Sequence, residues 1–193
     1  TGFRAPSLAQ QYYTYTSSLY YGASNVPAGL TQGIYNTGIV SPTSAIGSLL
    51  GGQPLKPEKS KNYTIGLVWN PSDALNLSVD LYQIEIDDRI SLSSNLSIAS
   101  PEAQAYLAAN GVANTNYSRV AYFTNAVDTR TRGVDFVGSY RSDFGDAGTL
   151  QSTLSYNYNK NEVTSVKANP AALDALGLDL QRIDRRDEFG LLA

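Results

Sequence analysis

Two acidic clusters are the groups in this chain best placed to do chemistry. Asp87 and Asp88 adjoin Arg89, and residues 184–188 read DRRDE. Paired carboxylates could serve a glycosidase as acid and base, or hold Ca²⁺. The chain, however, contains no His and no Cys. The commonest general base, the commonest nitrogen ligand and the usual dyads that activate a nucleophile are therefore all lacking. The favoured account of both clusters is solvated strand ends held by exposed ion pairs worth little each. The expectation is no catalytic residue, no metal site, no cofactor and no enzyme activity.

A second cluster points to binding. Tyr12, Tyr13, Tyr15, Tyr20, Tyr21 and Tyr35 crowd one stretch. Tyrosine offers a large contact area with a polar tip at low entropic cost, so the cluster is a candidate platform for a planar chelate or a sugar face. The competing account is packing between loops, or an aromatic girdle.

The elements that would position these residues are strands. SKNYTIGLVW places Tyr63, Ile65, Leu67 and Trp69 on one face. LNLSVDLYQIEIDDRI, RGVDFVGSY and TLQSTLSYNYN alternate in the same way, rich in Val, Ile, Leu, Thr and Tyr, which is the strand signature. Weaker strand signals lie at TGFR and DEFGLLA. Short connections at 70–73 and 141–148 carry Pro, Gly, Asp and Asn suited to tight turns. They alternate with long ones at 5–57, 91–120 and 160–182, so all the long loops leave one end of an up-and-down sheet. Each long loop carries one helix signal, a capping residue followed by Pro and closed by Gly. These signals are Ser41 and Pro42 to Gly51, Ser100 and Pro101 to Gly111, and Asn169 and Pro170 to Gly177.

A net charge of −3 argues against nucleic acid as a partner, which needs clustered Lys and Arg. No apolar run is long enough for a membrane helix, but ordinary mean hydropathy does not exclude a membrane β-barrel, whose strands alternate. The chain has no Met and opens on TGFRAP, as an excerpt of a longer protein would, with any leader outside it. A soluble β-sandwich competes with an outer-membrane barrel. Three features favour the barrel: short turns at one end and long loops at the other, aromatic residues in two bands (Trp69 and Tyr140, then Tyr156 and Tyr158), and strands longer than the about 9–11 residues a tilted span needs. Asp80, Asp135, Gly133 and Gly66 then face the lumen, because charge toward hydrocarbon is costly. The glycines would let another backbone approach, or relieve curvature.

GFRAPSLAQ, LKPEKSKNYTIGLVWNP, LNLSVDLYQIEIDDRI and FTNAVDTRTRGVDFVGSY occur in this order. Together they resemble the C-terminal barrel of TonB-dependent outer-membrane receptors. The resemblance implies an all-β chain. It would be a partial antiparallel transmembrane β-barrel, about five to six strands of a 22-stranded barrel, with short helices in long extracellular loops. It further implies an N-terminal plug and a TonB box outside this chain, outer-membrane lipid around it, and TonB-energised uptake in a Gram-negative bacterium. The ligand would be a small molecule, a ferric siderophore foremost, otherwise haem, cobalamin or a glycan. A passive porin-like barrel and a soluble β-rich binding module are the alternatives.

One irregularity remains. In residues 75–90 the apolar positions are odd through Leu81 and even at Tyr82, Ile84 and Ile86. Either a bulge keeps them on one face, or the strand changes surroundings there and Ile84 turns to the other face. The second is favoured, because a strand leaving the bilayer has no reason to keep apolar residues outward. Tyr82 is expected opposite Gly133.

Overall fold

A computed structural model describes residues 1–24, 31–112 and 116–178. The fold is predominantly β. Its main sheet is an antiparallel meander of β1 (Gly2–Arg4), β4 (Glu58–Ser72), β5 (Leu75–Leu92), β8 (Phe123–Asp143) and β9 (Thr149–Val166), in the order β1-β4-β5-β8-β9. A smaller sheet is built inside the long connections from β2 (Tyr15–Tyr21), β3 (Gly33–Ile39), β7 (Arg119–Ala121) and β6 (Leu96–Ser97), in the order β2-β3-β7-β6. The helices are α1 (Leu8–Tyr12), α2 (Ala45–Leu49), α3 (Pro101–Ala109) and α4 (Ala171–Ala175), with a 3₁₀ turn at Gly145–Ala147.

The four long strands run 15, 18, 21 and 18 residues, well past the about 9–11 that a tilted membrane span requires. Their register stacks the side chains into rows. Ile65, Leu81, Val134 and Tyr158 form one row; Leu67, Val79, Phe136 and Tyr156 the next; Trp69, Leu77, Gly138 and Leu154 the next. The belt is solvent-open on this isolated sheet, with Leu67 68%, Ile65 71% and Leu154 67% exposed. Apolar surface that large and continuous calls for a cover. The edge of β4 beyond Ser60 and the whole outer edge of β9 have no partner strand among the described residues.

The register also decides the irregularity at residue 82. β5 pairs without a break from Leu75↔Tyr140 to Ile86↔Thr129, and β4 pairs with it from Trp69↔Leu77 to Lys59↔Asp87. No bulge lies between Leu81 and Ile84, so the two side chains leave opposite faces. Tyr82 lies opposite Gly133, as the turn-to-turn count requires. The bulge comes later, between Ile86 and Ile90, where Asp88 takes a left-handed φ of 57°.

The main apolar core lies among the long connections. Leu50 beside α2, Leu107 of α3 and Leu173 of α4 are fully buried and meet Val40, Leu96, Ile98, Val120 and Tyr122. Each of the three connections thus supplies at least one leucine to a shared core. The buried Tyr122 hydroxyl donates to Leu50 O at 2.6 Å, and burial pushes its pKa above the ordinary tyrosine value.

Several helix expectations change in detail. α3 starts as its sequence signals require, with the Ser100 hydroxyl accepting from Ala103 N and Pro101 in the first turn. α2 is capped by Ser44, not Ser41. Pro42 is fully buried, and the Ser41 hydroxyl donates to Gln11 O at 2.6 Å instead. Asn169 does not cap α4; its amide donates to Asp174 Oδ1 and Leu178 O, each at 2.7 Å. The first connection holds a second helix, α1, closed by a capping box between Ser7 and Gln10. The strand signal at DEFGLLA lies outside the described residues.

Candidate functional site: the polar face and the loop cap

The face opposite the belt carries the residues expected to line a lumen. Gly66, Asp80, Asp135 and Asn157 form one row, with Asp80 directly opposite Asp135. Like charges so placed repel, and the side chains diverge. Asp135 accepts a hydrogen bond from Asn157 Nδ2, while the Asp80 carboxylate lies over Gly66, where any Cβ would meet its Oδ1. One row above, the Tyr82 ring lies across Gly133 in the same way. Within the sheet each glycine hollow is occupied by a side chain of the neighbouring strand, an aromatic covering a glycine in the second case.

That contact carries a prediction. Gly133→Val is expected to expel the Tyr82 ring and to crowd Tyr158 O, which is 2.8 Å from where the Cβ would stand, at a cost of about 1–3 kcal/mol. In a Tyr82→Ala background the same substitution should cost less, read from denaturant midpoints of the full-length protein. An equal cost in both backgrounds would mean that the ring is not what Gly133 makes room for.

Where the long strands enter the connections, a polar knot holds the bulge. Asn125 is buried; its Oδ1 accepts from Lys56 N at 2.8 Å, and its Nδ2 donates to Lys56 O at 2.9 Å and Asp88 O at 2.7 Å. Asp128 Oδ1 accepts from Asp88 N at 2.8 Å. Glu58, also buried, accepts from Ile90 N at 2.8 Å and forms a two-pronged pair with Arg4, at 2.7 and 2.9 Å. Of these residues the sequence marked only Asp88; Glu58 and Asn125 went unnoticed, because a buried polar side chain inside a strand breaks the apolar alternation and reads as loop.

The knot also separates the paired carboxylates. Asp87 faces Lys61 at 3.7 Å and Asp88 binds Lys167. Among the described residues no group of three acidic side chains stands together to hold a metal ion, and 184–188 lie outside those residues. The hydrogen bond from Lys167 holds the Asp88 carboxyl below the usual carboxylate range, opposed by desolvation and helped by the charges of Lys167, Lys56 and Lys59. A depressed folded pKa gives stability that is complete above the unfolded value of about 3.9 and is lost as pH falls through the folded one. Asp88→Asn keeps a residue tolerant of positive φ and removes the charge. It is expected to flatten the acid limb of a thermal-unfolding pH profile and to cost about 1 kcal/mol or less near neutrality, as for a partly exposed pair. An unchanged acid limb would assign that limb to other groups.

The tyrosines do not form one platform. Tyr13 and Tyr15 stack with ring centroids 6.3 Å apart, and Tyr21 meets Tyr35 edge-on at 5.5 Å. These pairs sit at opposite ends of β2, about 20 Å apart at the usual strand rise. Tyr20 projects from the other face, where its hydroxyl accepts from Gln32 Nε2 at 2.8 Å. Tyr12 ends α1, 64% exposed. Tyr35 is tied to Thr31, its hydroxyl donating to Thr31 O at 2.9 Å. Among the described residues the rings are thus spread over the loop cap and do not converge on one site.

A family model described as TonB dependent receptor-like, beta-barrel matches residues 1–186. Neither the curated proteins nor the solved structures yielded a match to the chain.

Proposed function

The chain belongs to the TonB-dependent receptor β-barrel family, and on that footing we propose that it is part of the barrel of an outer-membrane receptor that takes up a scarce small molecule. The observation that carries this reading is the sheet itself, with unbroken apolar rows on one face, the Asp80–Asp135 row on the other, and a packed loop cap at one end only. Facing the belt to lipid satisfies its apolar surface, and directing Asp80, Asp135 and Gly133 to the lumen keeps the carboxylates wet. The free edges of β4 and β9 are where further strands would continue toward a closed, 22-stranded barrel, since an open edge is not stable in hydrocarbon. A plug and a TonB-contacting segment would lie in an N-terminal region beyond this chain.

For the ligand we favour a ferric siderophore or similar iron complex over haem, cobalamin or a glycan, because the loop cap presents exposed tyrosine rings suited to a flat, aromatic-rich chelate. The test is uptake of radiolabelled ferric siderophores, haem, cobalamin and oligosaccharides by a deletion strain complemented with the full-length gene, with and without TonB. TonB-dependent iron uptake is the expected result. Uptake that persists without TonB would replace this reading by a passive pore, and a protein that stays monodisperse without detergent would remove the membrane reading altogether.

A further inference from the structure

The outward face does not pass directly from apolar belt to loops. The row above Ile65, Leu81, Val134 and Tyr158 is Tyr63, Gln83, Arg132 and Lys160. Arg132 and Lys160 are direct cross-strand partners, and of these like charges only Lys160 has a carboxylate, Glu162, within ion-pair distance to offset the placement. Every carboxylate nearby is already engaged one row higher or beyond. Glu162 takes Lys160 at 2.6 Å, Glu85 takes Arg130 at 3.1 Å, and Asp87 takes Lys61 at 3.7 Å. Arg132 has only a neutral partner, its Nε donating to Gln83 Oε1 at 2.7 Å. The rest of its guanidinium fork has no carboxylate partner among the described residues. Beside it lies a shallow groove of about 300 Å³, lined by Tyr63, Ile65, Leu81, Tyr82, Gln83 and Arg132. A cationic rim over an apolar floor matches an amphiphile whose head is an anion and whose tail is hydrocarbon.

We propose that this patch binds an anionic, phosphate-bearing lipid from the surrounding leaflet, with Arg132 and Lys160 on the phosphate and an acyl chain along Ile65 and Leu81. Arginine suits the role because its planar fork holds two phosphate oxygens at once. The height is right as well, since the patch begins where the apolar rows end. A free phosphate would use the cations and leave the groove empty, so the occupant is the lipid. The proposal rests on the membrane reading above, and its test separates the two: a detergent-independent protein defeats that reading, whereas a detergent-requiring one that fails to retain lipid defeats only this inference.

Delipidated full-length protein in detergent would be incubated with dioleoyl phosphatidic acid, dioleoylglycerol or inorganic phosphate, and retained adducts read by native mass spectrometry. Phosphatidic acid should be retained and dioleoylglycerol not. Losing a charge-assisted contact at both cations should lower retention at least about tenfold in R132Q/K160Q, with Arg132→Lys keeping part of it and Lys61→Gln, one row up, leaving it unchanged. Added phosphatidic acid should raise the melting temperature of the wild type only. Undiminished retention in R132Q/K160Q, equal retention of dioleoylglycerol, or displacement of the lipid by equimolar inorganic phosphate would each overturn the proposal.

Discussion

Leu67→Arg is expected to destabilise the membrane-inserted protein by about 2–4 kcal/mol, the cost of a cation near the middle of a lipid-facing belt. Val68→Arg, one residue along, should cost about 0.5 kcal/mol or less, as at an ordinary exposed site. Both native side chains are apolar and similarly exposed on the isolated sheet, 68% and 64%, so a scale that scores hydrophobicity alone gives the two substitutions the same effect. The register separates them. Leu67 stands in the row of Val79, Phe136 and Tyr156, and Val68 in the row of Ser78, Val137 and Ser155 on the opposite face. The measurement is the fraction of heat-modifiable, folded protein recovered in outer membranes, with unfolding midpoints in lipid vesicles. Equal losses at 67 and 68 would mean that both faces meet an apolar environment. The sheet would then be packed on two sides like a sandwich core, and the barrel reading would fail.

The distance between those two outcomes also shows what the sequence could carry. Alternation located the four long strands, because a half-buried strand writes its burial directly into every second residue. It located the turns too, and from them the pairing of Tyr82 with Gly133. It could not choose between a bulge and a change of face at residue 82, since both give the same string; only cross-strand register distinguishes them. β2 and β3 escaped notice for a related reason. Residues 15–21 read YTSSLYY, with tyrosine and hydroxyl residues on both sides, and a strand exposed on both faces has no phase to detect. The buried members of the polar knot were equally silent. Glu58 and Asn125 are buried through hydrogen bonds to backbone groups distant in sequence, which no local pattern encodes. For the tyrosines, composition marked a cluster but could not divide it, because Tyr20 and Tyr21 are neighbours in sequence and lie on opposite faces of the strand.

The three helix signals were visible one by one, but their meeting was not, and that meeting leads to the second large effect. Leu107 is fully buried among side chains from all three long connections. Leu107→Ala should cost the loop cap about 2–5 kcal/mol, the transfer term plus an unfilled cavity. Because Leu50 and Leu173 line the same core, the loss should not stay in the connection that carries α3. Limited proteolysis of the full-length protein should expose the segments around α2 and α4 together with α3, while the barrel strands remain resistant and heat-modifiable. Leu173→Ala, from a different connection, should reproduce the same cleavage pattern, and the double variant should lose less than the sum of the two, as expected for residues sharing one cavity. If the proposed tyrosine contacts hold the ligand, its uptake should fall in parallel, since separate contacts act together only while the cap holds them at fixed spacing, and ordering them anew at binding costs affinity. Cleavage confined to the mutated connection, with additive losses, would show three independent loops. In that case the contacts of Leu50, Leu107 and Leu173 would be incidental to how the long connections are held together.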